Sequence, residues 1–104
     1  MRATRLPPAA ESPYVEFLRS PDLSVGVYRI ARGEADAQQP HGEDEVYFVL
    51  QGRARFTSGG RTVDVRPGDC ILVPAREEHR FHDVEEDLEL LVVFAPAEGT
   101  RPKE

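Results

Sequence analysis

The stretch Gln39-Pro40-His41-Gly42-Glu43-Asp44-Glu45, running directly into Val46-Tyr47-Phe48-Val49-Leu50-Gln51-Gly52, decides how this chain is read. Pro40 lacks an amide proton and disfavours a helix here, so His41 and Glu45 are not an exposed helical pair. The apolar run Val46 to Leu50 ends at a glycine, as expected of a strand covered on both faces. If Gln39 and His41 share a strand, a period of two points both to one side. Glu45 opens the next strand after a turn through Gly42 and can fold back beside His41. A second imidazole, His79, stands behind another short apolar run, Cys70-Ile71-Leu72-Val73-Pro74. Two imidazoles and one carboxylate at strand edges are what a divalent metal held in a β-barrel requires. Tyr47, Val49 and Gln51 share the parity of Glu45 and would line the space above that site. Val46, Phe48 and Leu50 would point the other way, towards sheet packing or a partner subunit.

Outward from this stretch the pattern is short strands. Tyr14 to Arg19 and Leu23 to Ala31 precede it. Arg53 to Thr57 and Arg61 to Arg66 flank Ser58-Gly59-Gly60, a hairpin signal because glycine supplies the positive φ of tight turns. Pro67-Gly68-Asp69 is a turn, followed by Cys70 to Val73, then His79 to Val84, an acidic turn at Glu85-Glu86-Asp87, and Leu88 to Ala95. This spacing predicts about eight or nine strands and an all-β chain, closed as a barrel or a double-sheet jelly roll. Residues 1–13 carry Pro7, Pro8 and Pro13 and read as an extended N-terminal arm. Residues 14–96 read as the barrel, and residues 97–104 as a flexible C-terminal tail.

Composition narrows the function classes. A chain of 104 residues is one domain, able to bury roughly 60 to 70% of its unfolded surface. Its formal charge of −6, from 19 acidic and 13 basic residues, comes without a basic cluster, which argues against nucleic acid as a partner. No apolar stretch approaches the ~20 residues that span a bilayer, and residues 1–13 lack the apolar core of a signal peptide. The lone Cys70 excludes an internal disulfide and fits a reducing cytoplasm. Within its apolar run it reads as a small buried hydrophobe.

The spacing Gly33-x5-Gln39-x-His41-x3-Glu45-x6-Gly52 resembles the first motif of the cupin superfamily, G-x5-H-x-H-x3,4-E-x6-G. The spacing Gly68-x5-Pro74-x-Arg76-x2-His79-x3-Asp83 resembles the second, G-x5-P-x-G-x2-H-x3-N. Together they cover about half the chain, with a short gap between them, as in small bacterial single-domain cupins. The resemblance implies a double-stranded β-helix, or jelly-roll, barrel. It also implies one divalent metal (Fe, Mn, Ni or Zn) held by His41, Glu45 and His79. Gln39 stands where the family has a fourth ligand, a histidine. An amide oxygen is the weaker donor, so Gln39 is either a poor ligand or a hydrogen-bonding neighbour, and the site is more open.

Arg76 replaces a glycine of the pattern and puts a cation near the second motif. Asp83 replaces an asparagine and could orient His79 or face water. Tyr47 and Arg76 are the candidate substrate contacts, while His82, off the parity of His79, reads as a surface or packing residue. The expected function is that of a small metal-binding cupin acting on an oxygen-rich small molecule, with dioxygenase-like oxidoreductase or isomerase chemistry. The competing expectation is a non-catalytic metabolite- or metal-binding module. A homodimer is expected from the family and from the apolar runs Val46 to Leu50 and Leu88 to Phe94, which a thin barrel covers incompletely.

Overall fold

Residues 1–36 and 40–101 are described by the structure, a computed structural model. They form six strands and no helix: β1 (Tyr14–Ser20), β2 (Leu23–Ile30), β3 (Asp44–Ser58), β4 (Arg61–Val65), β5 (Cys70–Val73) and β6 (His79–Ala95). All pairings are antiparallel, in the order β1-β2-β6-β3-β4, with β5 added to β3. Of the expected eight or nine strands, the eight segments named above become six because two pairs are continuous. Val46 to Leu50 and Arg53 to Thr57 are halves of β3, and His79 to Val84 and Leu88 to Ala95 are halves of β6.

These two long strands make the barrel by bending. Tyr47 and Phe56 are nine residues apart on β3, which would be ~30 Å in a straight strand. Their ring centroids nevertheless lie 5.8 Å apart. The bend falls at Gly52, whose φ is +98°. A Cβ there would stand 2.3 Å from the Asp87 carbonyl oxygen of β6, so the position excludes every side chain. Register shifts between Val49 and Arg55 mark the bulges. Each extra residue flips which side chains face inward. On β3 the buried set passes from Glu45, Tyr47 and Val49 to Ala54 and Phe56, which leaves Gln51 exposed rather than in the site. On β6 it passes from His79 and Phe81 to Val84, Leu88, Leu90, Val92 and Phe94.

The acidic residues 85–87 lie within β6 instead of forming a turn. All three are exposed, and Glu86 faces Arg53 across the ladder, so extension costs their charges no burial. The two-residue turn Gly59-Gly60, both at positive φ, closes the expected hairpin.

The folded halves place their aromatic rings together inside. Tyr47 packs edge-on against Phe81 (4.9 Å between centroids), and Phe56 packs against Phe81 (4.5 Å). Inner rungs of the sheet run Ser24–Phe94–Glu45–Val73 and Gly26–Val92–Tyr47–Ile71. The outer rungs Val25–Val93–Val46–Leu72 and Val27–Leu91–Phe48–Cys70 are apolar as well. That outer face is only partly covered within the chain, leaving Phe48 39% and Leu72 66% exposed. Cys70 lies on this side and is exposed, contrary to the buried reading, because its phase on β5 is that of Leu72.

Candidate metal centre

Three elements meet at one end of the barrel interior. Glu45 sits on the innermost rung of β3 and is 1% exposed. His79 opens β6, and its side chain is fully enclosed. His41 belongs to no strand and is held by its surroundings. Its carbonyl accepts the Arg76 amide at 2.6 Å, and its ring stands edge-on to Phe94 at 4.8 Å. Earlier in the chain, the buried Asp36 carboxylate accepts the Tyr28 hydroxyl (2.7 Å) and the Phe81 amide (2.9 Å). Asp44, the next anchor, accepts the Ala75 amide at 2.9 Å.

One donor atom each from His41, Glu45 and His79 lies within 4.8 Å of the others. His79 Nδ1 is 2.8 Å from the Glu77 carbonyl. A carbonyl can only accept, so this nitrogen carries the proton. Nε2 is therefore the free lone pair of the neutral ring. Nε2 lies 3.0 Å from Glu45 Oε1 and 3.1 Å from the Tyr47 hydroxyl. Burial alone would lower the pKa of His79, but the Glu45 carboxylate and the Glu77 carbonyl outweigh it and leave the pKa above the ordinary histidine value.

The environment of Glu45 tests whether these residues suit a metal. Both of its oxygens are enclosed, and neither accepts a hydrogen bond. The His79 contact is close enough for an ion pair but is not aligned as a hydrogen bond. A buried carboxylate without donors is costly, whereas the same carboxylate beside two imidazoles is a complete facial set for a divalent cation. The donor chemistry therefore fits a metal.

The structure brings His41, Glu45 and His79 together, while Gln39 lies outside the described residues. Tyr47 faces inward as its parity required, but it is wholly buried and bonded to His79. Arg76 is exposed, and what it brings to the site is its backbone amide, from a residue at φ +68°. Asp83, at φ +50°, contacts His82 Nδ1 at 2.9 Å and not His79. The glycine and asparagine of the family pattern are the residues that tolerate such positive φ. The pattern at these two positions thus records backbone shape. His82 bonds Thr57 at 2.6 Å, on the outside.

Glu43 is buried and accepts the Arg101 amide at 2.9 Å. Residues 97–101, read as a tail, touch the site: Ala97 is fully buried and Glu98 lies beside His41. Nothing in the spacing marked Asp36 or Glu98. The one available clue was Ala97, an apolar residue following Pro96.

A barrel of this topology with a His-Glu-His cluster at one end of its interior is the architecture of the cupins. The Cupin domain family matches residues 26–94, and the chain belongs to it. An uncharacterised protein of Streptomyces coelicolor is 48% identical over 91 residues, covering 88% of this chain and 87% of that one. An acireductone dioxygenase of Leishmania infantum is 37% identical over 70 residues, or 55% of this chain and 18% of the enzyme. Among solved structures, KdgF from Halomonas sp. superimposes with a TM-score of 0.74 at 23% identity, covering 85% of this chain and 84% of that one. The last likeness concerns the fold.

Proposed function

We propose that this cupin holds one divalent metal through His41, Glu45 and His79 and acts on an oxygen-bearing small molecule bound at the metal's open positions. The observation that carries the reading is Glu45, whose two enclosed oxygens accept no hydrogen bond beside two imidazoles. A metal in such a site supplies Lewis acidity, polarising a coordinated oxygen. The chain's own contributions are separate. The Glu77 carbonyl keeps the His79 Nε2 lone pair pointed inward, and Phe94 limits the tilt of His41; the Tyr47 hydroxyl, 3.1 Å from that same Nε2, engages the lone pair only while no metal does. The aromatic wall of Phe56, Phe81 and Tyr47 keeps water from the inner side.

Dioxygenase-type chemistry is the favoured class, supported by the partial identity to an acireductone dioxygenase, although the chain spans only 18% of that enzyme. Isomerase-type chemistry is the runner-up. A non-catalytic binding module is the second reading, favoured by the enclosure of Glu45 and His79, which leaves His41 as the cluster's least buried member. Titrating purified protein with Fe(II), Mn(II), Ni(II) and Zn(II) tests the metal assignment. One ion per chain is expected in the wild type and none in His79→Ala; equal uptake by both proteins refutes it. The reading includes a homodimer formed over the outer face, where Phe48 and Leu72 lack cover. A monomer by light scattering at micromolar concentration contradicts that part.

A further inference from the structure

His41 is the one member of the cluster that no strand carries, so its imidazole needs an external hold. On its Nδ1 side lies Glu98, with Oε2 4.0 Å away. Glu98 is beyond both sequence motifs, yet its backbone is fixed. Its amide donates to the buried Ser24 hydroxyl at 3.0 Å, and its carbonyl accepts the Arg19 guanidinium at 2.9 Å. On one side Ala97 is wholly buried; on the other, the Arg101 amide donates to Glu43. The carboxylate so delivered is half-buried among like charges.

We propose that Glu98 is a positioning residue for His41, holding the imidazole with Nδ1–H towards the C-terminal segment and the Nε2 lone pair towards Glu45 and His79. The inference rests on the metal reading above. His79 supplies the parallel within the same site, since its Nδ1 is taken by the Glu77 carbonyl and its Nε2 faces Glu45. Metal-binding histidines generally donate their second ring N–H to a carboxylate or carbonyl, which fixes tautomer and orientation, and losing that partner costs about 10–100-fold in metal affinity. The segment after the last strand is thus part of the centre.

Two measurements test this on the full chain. Long-range 1H–15N spectra of the metal-free protein near pH 8 report the His41 tautomer. The wild type should show Nδ1–H, Glu98→Ala should lose that preference, and Glu98→Gln, whose amide oxygen still accepts, should largely keep it. Mn(II) titration followed by electron paramagnetic resonance should show affinity about 10–100-fold weaker in Glu98→Ala. Asp64→Asn, which removes an exposed charge of β4 paired only with Arg55 among the described residues, should stay within about threefold of wild type. An unchanged tautomer in Glu98→Ala overturns the inference, even where affinity falls, because the role would then be structural. So does an affinity equal to wild type. If the wild type takes up no Mn(II), the metal reading fails, and the tautomer alone decides the role of Glu98.

Discussion

Replacing Glu45 by Met should stabilise the metal-free protein at a pH high enough for His79 to be neutral, while abolishing metal uptake. The carboxylate is 1% exposed, both oxygens lack hydrogen-bond donors among the described residues, and the His79 ring lies 3.0 Å away. A buried polar group left unsatisfied costs about 1–3 kcal/mol. Against that stands the loss of the His79 contact. His79 survives it, because a neutral ring keeps the Glu77 carbonyl on Nδ1 and accepts the Tyr47 hydroxyl on Nε2. Met has nearly the volume of Glu and fills the space beside Phe94 and Val73, the neighbours of position 45 on its rung.

The net gain is then about 1–2 kcal/mol. For a domain of this size that raises Tm by about 5–15 °C. Thermal melts of metal-free wild type and Glu45→Met, each repeated with added Mn(II), make the comparison. The variant should melt higher without metal and show no shift with it. A metal-free variant that melts lower than wild type refutes the reasoning, because Glu45 would then be a structural ion pair and not a carboxylate kept for a ligand.

Other outcomes follow from the same geometry. Gly52→Ala should cost about 3 kcal/mol or more by denaturant unfolding, combining positive-φ strain with a Cβ 2.3 Å from the Asp87 carbonyl oxygen; a loss under about 1 kcal/mol contradicts the bend described at that residue. Arg76→Gly should stabilise by about 1 kcal/mol and leave metal uptake intact, since the site uses only its backbone amide; loss of uptake would restore a role for the guanidinium. The raised pKa of His79 means that the metal-free fold binds a proton the unfolded chain has released. That contribution is complete below the ordinary value of 6.5 and is lost as pH rises through the folded value. Unfolding free energy of the metal-free wild type should therefore fall above pH 6.5 more steeply than that of His79→Gln, and parallel profiles would contradict the assignment.

The sequence showed the fold and the centre to different depths. His41, Glu45 and His79 could be grouped because their spacing is set by strand ends, which recur at fixed places in the barrel. Gly52 could be read as a terminus but not as a hinge, since a bend within one continuous strand leaves no mark in hydropathy. The bulges could not be read at all. The register shifts between Val49 and Arg55 change which side chains of β3 face inward, which is why parity points Gln51 to the interior while it lies outside. Arg76 and Asp83 were judged by their charges, whereas their positions are defined by φ. Glu43, Asp36 and Glu98 were missed because polar residues in loops look alike until the backbone amides they accept, or the histidine they flank, are in place.

The account stands most directly on the metal content of the purified protein, paired with an anomalous-scattering map of its crystals. It predicts one ion per chain, with a single anomalous peak about 2.0–2.3 Å from His41, Glu45 and His79. A protein that takes up no Fe(II), Mn(II), Ni(II) or Zn(II), with no peak between those three side chains, would contradict it.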